Sequence, residues 1–116
     1  MKQKEIVRAA FRQAVFSRAK YRCQGPGCSV KATARNAEEI LDAHHITDRN
    51  LLAAGGYVAE NGIALCKASG GCHEKAEVFH STGEALPGWS PTDLYVIVGS
   101  SWADAVAASE RLAARR

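Results

Sequence analysis

LDAHHITDRNLLAAGGYVAENGIALCKASGGCHEKAEVFH, residues 41–80, holds all four histidines of the chain, two of its four cysteines and an Asn-Gly pair. The tandem His44-His45 decides how the stretch is read. If Leu41–Ile46 is extended, neighbouring side chains project to opposite faces, so one imidazole can take a metal ion while the other meets water or substrate. Asn61-Gly62 is a turn signal, and Ile63–Cys66 then reads as the second strand of an antiparallel pair. From His73 the period becomes helical: His73, Glu77 and His80 share one stripe at about 3.6 residues per turn, and the helix ends by Gly83. Residues 47–59 contain Gly55-Gly56 and no sustained period, which gives a connecting loop with one helical turn near residues 50–54.

Upstream, apolar Ile6, Val7, Ala10, Phe11, Ala14 and Val15 recur at helical spacing while Arg8 and Arg12 stand four apart on the other side, predicting an amphipathic helix over 4–20. It runs without a linker into Cys23-Gln-Gly-Pro-Gly-Cys28, which pairs in style with Cys66-Lys-Ala-Ser-Gly-Gly-Cys72. Each pair has glycine immediately before its second cysteine, so the backbone can turn tightly and bring both sulfurs to one ion. Structural zinc on Cys23, Cys28, Cys66 and Cys72 is the expected use. Free buried thiols or two disulfides are the rivals. Residues 31–39 are a loop or a short helix. Downstream, Pro87–Pro91 forms a turn, Leu94–Val98 is an apolar strand candidate, and Ser101-Trp102-Ala103-Asp104 is a capping box opening a final helix to about Ala114.

The 116 residues suit one domain with a thin core, since much of the 47% hydrophobic fraction is alanine and aromatics are 7%. No segment approaches the ~20 apolar residues of a membrane span. Residues 1–20 offer no unbroken apolar stretch to serve as a signal-peptide core, so a reducing cytoplasm is expected, which favours metal over disulfides. The net charge is only +3, but Lys2, Lys4, Arg8, Arg12, Arg18, Lys20 and Arg22 crowd the first twenty-two residues against Glu5 alone. Such a cluster suits a polyanion, or is simply a solvated helix face.

Cys23 and Cys28, then Asp42-Ala43-His44-His45-Ile46, then Asn61-Gly62-Ile63-Ala64-Leu65-Cys66, then Cys72-His73, resemble in order and spacing an HNH endonuclease of bacterial or phage type. The resemblance covers about residues 21–80. It implies an α+β fold: a small ββα-metal (HNH/His-Me finger) core at about 21–83 with a structural zinc site. The basic helix 4–20 and a C-terminal strand-helix extension over 84–116 flank that core, all in one domain, 1–116. The implied activity is metal-dependent hydrolysis of DNA to 5′-phosphate and 3′-hydroxyl ends. The alternative is a zinc-stabilised nucleic-acid-binding module without catalysis.

Under that resemblance His45 is the general base, because its unperturbed pKa lets it take a proton from water near neutral pH. His44 and His73 hold one catalytic divalent cation (Mg2+, Mn2+, Ni2+ or Zn2+), with Glu77, four residues after His73, as third ligand. Asn61 would orient the ring of His45 through its amide or backbone, or would simply make the turn. Asp42 shares the face of His44 and is a partner to the ligands or plain surface. His80 lies about 10 Å beyond His73 along the helix, where a helix-end carbonyl would satisfy it. Arg8, Arg12, Lys67 and Lys75 are the expected contacts to DNA backbone phosphates. Two departures stand out: five residues separate Cys66 from Cys72 where two are commoner, and Thr47-Asp48 replaces a proline often found after the base strand.

Overall fold

Phe11, Val15, Phe16 and Ala19 recur at helical spacing. In the computed structural model, which describes residues 2–115, they form the buried stripe of helix α1 (Gln3–Arg18) and its C-cap. The stripe lies further along than the sequence pattern implied, with Ile6 47% exposed and Phe16 inside. The cause is what α1 rests on: a Cβ added at Gly62 would stand 2.3 Å from Val15 and 2.8 Å from Phe11, so the sheet meets the second half of the helix. Beyond Ala19, Lys20 and Tyr21 both take left-handed φ, 55° and 59°. The corner is fixed by the Tyr21 N–H donating to the Phe16 carbonyl at 2.9 Å.

The chain then makes the first cysteine knuckle. Gln24 lies along the sheet, its N–H donating to the Ala64 carbonyl at 2.7 Å and its side-chain oxygen accepting from the Ala64 N–H at 3.0 Å. A short helix α2 (Ala37–Ile40) leads into β1 (Leu41–His45), which pairs antiparallel with β2 (Gly62–Cys66) in the register Leu41 to Cys66 and His45 to Gly62. Alternation works as expected: Asp42 and His44 meet the helix after β2, whereas His45 meets α1. Every residue of β2 is buried.

Two expectations need correction. Asn61-Gly62 is no hairpin turn: the strands are joined by the whole of residues 46–61, Asn61 ends a 3-10 turn (Ala59–Asn61), and Gly62 is extended at φ −120°. Glycine is needed at 62 because α1 presses on it, not to reverse the chain. Leu94–Val98 is not a strand but part of helix α4 (Pro91–Val98), so the C-terminal extension is two helices rather than strand and helix. Its β-branched run is overruled by a complete capping box, in which Ser90 Oγ accepts from the Asp93 N–H at 3.1 Å and the Asp93 carboxylate accepts from the Ser90 N–H at 3.2 Å. Pro91 follows at N1 and Gly99 closes the other end at φ 70°; such local signals set a helix that weak strand propensity cannot undo.

Helix α3 (Cys72–Thr82) follows the second knuckle and ends at Gly83 in the left-handed region. Helix α5 (Trp102–Ala114) starts where Ser101 Oγ accepts from the Asp104 N–H at 3.0 Å, and packs against the loop between the strands. Among the described residues the result is an α+β unit of a two-stranded antiparallel sheet and five α-helices. None of these helices is long and apolar enough to cross a membrane.

Candidate functional site

Two clusters of ligating side chains form on opposite sides of β2. In the first, Cys23, Cys28, Cys66 and Cys72 each place a sulfur within 4.8 Å of the other three. All four are unpaired thiols, and the sulfurs of Cys28 and Cys66 stand 4.0 Å apart. Thiolates around a tetrahedral zinc, at about 2.3 Å from the ion, are separated by about 3.8 Å. The donor set therefore fits that ion. Backbone N–H groups already point at the sulfurs, from Gly25 and Cys66 to Cys23 and from Cys72 to Cys66, at 3.2–3.4 Å. Burial pushes the thiol of Cys23 up to about 11 and that of Cys72 further, while the Val30 N–H lowers the half-buried Cys28. The sulfurs of Cys23 and Cys72 therefore resist ionisation unless a cation shares the space.

Of the glycines before Cys28 and Cys72, Gly71 is required, since a Cβ there would stand 2.7 Å from the Ala68 carbonyl oxygen and 3.1 Å from Cys66 Sγ, and the site also depends on Gly25. A Cβ at Gly25 would stand 2.4 Å from Cys72 Sγ, far closer than van der Waals contact allows. Gly27 does adopt φ +72°, as a tight turn requires, but has open space around it.

The second cluster joins β1 to α3. His44 Nδ1 lies 3.3 Å from Glu77 Oε1, and His73 Nε2 lies 3.5 Å from the same carboxylate, so the three residues expected as ligands do converge. Asp42 belongs with them: its Oδ2 is 3.1 Å from His73 Nε2. The two histidines differ in charge. The Asp42 carboxylate raises the pKa of His73, whereas burial and the neighbouring rings of His80 and His73 push His44 down to about 3. At neutral pH the His44–Glu77 contact therefore sets a neutral ring beside the carboxylate and is not an ion pair. His44 is 2% exposed and its Nε2 has no hydrogen-bond partner, an arrangement that costs about 1–3 kcal/mol. His80 is nearer than its position along the helix implied: its ring is 5.2 Å from that of His44, and its Nε2 is 3.1 Å from the His45 carbonyl. A strand carbonyl, rather than a helix-end one, takes up this histidine.

His45 leaves the strand on the other face, stacked on Phe11 at 4.7 Å and edge-on to Tyr57 at 4.6 Å. Its Nε2 is buried and has no hydrogen-bond partner among the described residues, and the residue lines the same cleft of about 300 Å³ as His44, His73 and Glu77. Burial, and then the charge of Arg49, push His45 down to about 4, so the ring is neutral with a free lone pair across the physiological range.

Asn61 does not touch His45. Fully buried, it receives the Thr47 N–H at 2.9 Å and the Tyr95 hydroxyl at 2.7 Å on Oδ1, and donates from Nδ2 to the carbonyls of Thr47 and Gly56. Its amide is consumed in holding the loop; only its backbone carbonyl, accepting from the Ile46 N–H at 2.9 Å, reaches the residue next to His45.

The four cations expected to meet DNA divide. Arg8 faces the His45 side, its guanidinium 5.4 Å from the Tyr57 ring. Arg12 pairs with Glu38 at 3.1 Å, Lys67 is tied to the Glu38 carbonyl, and Lys75 sits over Trp89 at 5.9 Å. The reason for Lys75 is helical: two residues from His73, it points about 200° away from it. Arg49, in a loop without period, was missed and stands beside the cleft, its Nη1 3.3 Å from the Tyr57 hydroxyl. Arg18 is not a free surface charge either; it donates to the carbonyls of Ala59 and Gly62 and fixes the entry to β2. No protein-family model, no curated protein and no solved structure matches the chain.

Proposed function

We propose that the chain is an HNH-type endonuclease, a ββα-metal hydrolase of DNA phosphodiester bonds braced by one zinc on its four cysteines. The observation that carries this reading is the convergence of His44, His73 and Glu77 from strand and helix, with His45 lining the same cleft. The donor set fits a divalent cation. Two carboxylates, Asp42 and Glu77, and two imidazoles crowd a space where one nitrogen, that of His73, faces both acids. His44, His73 and Glu77 would hold the ion, with Asp42 orienting His73. When bound, Mg2+, Mn2+, Ni2+ or Zn2+ would offset charge on the phosphate and on the departing 3′ oxygen.

The chain's own part is proton handling and position. Neutral His45 accepts a proton from a water whose oxygen bonds to phosphorus. The bond from phosphorus to the 3′ oxygen breaks, and that oxygen takes a proton from solvent, leaving 5′-phosphate and 3′-hydroxyl ends. Phe11 and Tyr57 hold the ring from two sides, so its aim does not depend on a hydrogen bond. Asn61 acts further back, as a positioning residue that fixes the loop leaving the base strand.

Plasmid nicking with each of the four cations tests this, beside ion binding by calorimetry. His45→Ala should lose ~10²–10⁴-fold in rate and keep the ion, whereas His44→Ala should lose both. Equal cleavage by wild type and His45→Ala removes the base. No cleavage with any cation leaves the non-catalytic, zinc-stabilised binding module.

A further inference from the structure

A second cleft, of about 340 Å³, lies between the first half of α1 and residues 54–57, walled by Lys4, Arg8 and Tyr57. Tyr57 is the hinge of this surface. One edge of its environment is His45, at 4.6 Å between centroids; its face carries the Arg8 guanidinium at 5.4 Å; its hydroxyl accepts from Arg49 at 3.3 Å. Two cations are thus held by one aromatic ring, so neither needs a carboxylate to fix it. Among the described residues no ion pair engages Lys4, Arg8 or Arg49, while the buried Arg8 Nε has no hydrogen-bond partner. Lys4 and Arg8 stand one turn apart, about 6 Å along the axis.

We propose that Lys4, Arg8 and Arg49, organised by Tyr57, form a track for the phosphodiester backbone of nucleic acid, leading one strand past His45. This rests on the nuclease reading for its direction but not for its chemistry. Separate cations outside any ion pair, two of them on one aromatic ring, suit a chain of monoanionic phosphates better than a single small anion, because each offers a separate contact. The face of α3 that carries Lys75 has no part in it, and neither does the Arg12–Glu38 pair.

The test is anisotropy of short fluorescein-labelled duplex and single-stranded DNA of arbitrary sequence, with zinc-loaded protein and Ca2+ in place of an active cation. Arg8→Gln and Arg49→Gln should each weaken binding about fivefold or more and flatten the slope of log K against log salt by about 1. Arg12→Gln and Lys75→Gln should change affinity less than twofold. Tyr57→Phe, which keeps the ring and loses the hydroxyl, should act like a weaker Arg49→Gln. Wild-type affinity in both arginine variants, or no binding of either DNA by wild type, overturns the track. Nicking on the same samples separates the two ideas. Cleavage with unaltered binding in the arginine variants sinks the track and leaves the nuclease; arginine-dependent binding without cleavage by any cation sinks the nuclease and leaves the track.

Discussion

Replacing Asn61 by alanine should destabilise this fold far more than any other change to one uncharged polar side chain. The amide serves four partners in a region without solvent: the N–H and carbonyl of Thr47, the Gly56 carbonyl and the Tyr95 hydroxyl. The tyrosine's one proton goes to Asn61, so Thr47 Oγ1, 2.6 Å away, is the donor in its other contact. After truncation Tyr95 keeps that contact, but three backbone groups are stranded. At about 1–3 kcal/mol for each unsatisfied buried group, less what an entering water recovers, the loss is ~3–5 kcal/mol. For a chain of this length that is a drop of more than ~10 °C in Tm. Thermal unfolding of zinc-loaded wild type and variant, followed by circular dichroism, measures it. Tyr95→Phe should cost ~1 kcal/mol, and the double variant should cost less than the sum by ~0.5 kcal/mol or more, since the two share a bond. A fall of under ~3 °C for Asn61→Ala, or strict additivity with Tyr95→Phe, would refute the reasoning and return Asn61 to a role at the base alone.

Gly25→Ala should cut zinc affinity at least tenfold in a competition assay with a chromophoric chelator, because the new methyl would stand 2.4 Å from Cys72 Sγ and displace it; unchanged affinity would mean the knuckle is looser than its geometry. Stripping the metal from the four cysteines should unfold the core around β2, given that such sites supply on the order of 10 kcal/mol of apparent folding free energy; a dialysed, metal-free chain with wild-type circular dichroism and Tm would contradict that. Acid should also weaken the fold through His44 and His45. Their folded pKa values, about 3 and about 4, lie below the ordinary 6.5, so the unfolded chain binds protons first and stability is lost as pH falls below 6.5. His73, with its raised pKa, works in the opposite sense. Without added divalent cation, Tm should therefore fall less steeply with pH in His44→Asn than in wild type; parallel profiles would exclude His44 as the cause.

The convergence of His44, His73 and Glu77 was readable because two periodicities place it: alternation along β1 sets His44 and His45 on different faces, and an i,i+4 step on α3 brings Glu77 beside His73. Asp42 was half readable by the same alternation, but whether it met a helix or water depended on where α3 lies. Asn61 misled for a different reason. Asn-Gly marks a turn only when the chain around it has nothing else to satisfy, and here Tyr95 and Thr47 claim the amide while Val15 and Phe11 claim the space beside Gly62. Leu94–Val98 misled because strand propensity was weighed without the Ser90–Asp93 box just before it. Arg49 and Tyr57 left no trace at all: they sit in a segment without period, where Tyr57 meets Arg8 and Phe11 of α1, more than forty residues upstream, and Arg49 meets the Tyr57 hydroxyl.

The two tryptophans occupy opposite circumstances. Trp89 is 7% exposed, with its ring edge beside Gly25 of the cysteine knuckle, while Trp102 is 60% exposed at the start of α5. The molecule thus carries a built-in optical gauge. Iodide can silence the outer indole while the inner one continues to emit, and cobalt substituted at the thiolates would dim that remaining signal by energy transfer. Occupancy of the knuckle can accordingly be followed in real time on the unlabelled, unmutated chain.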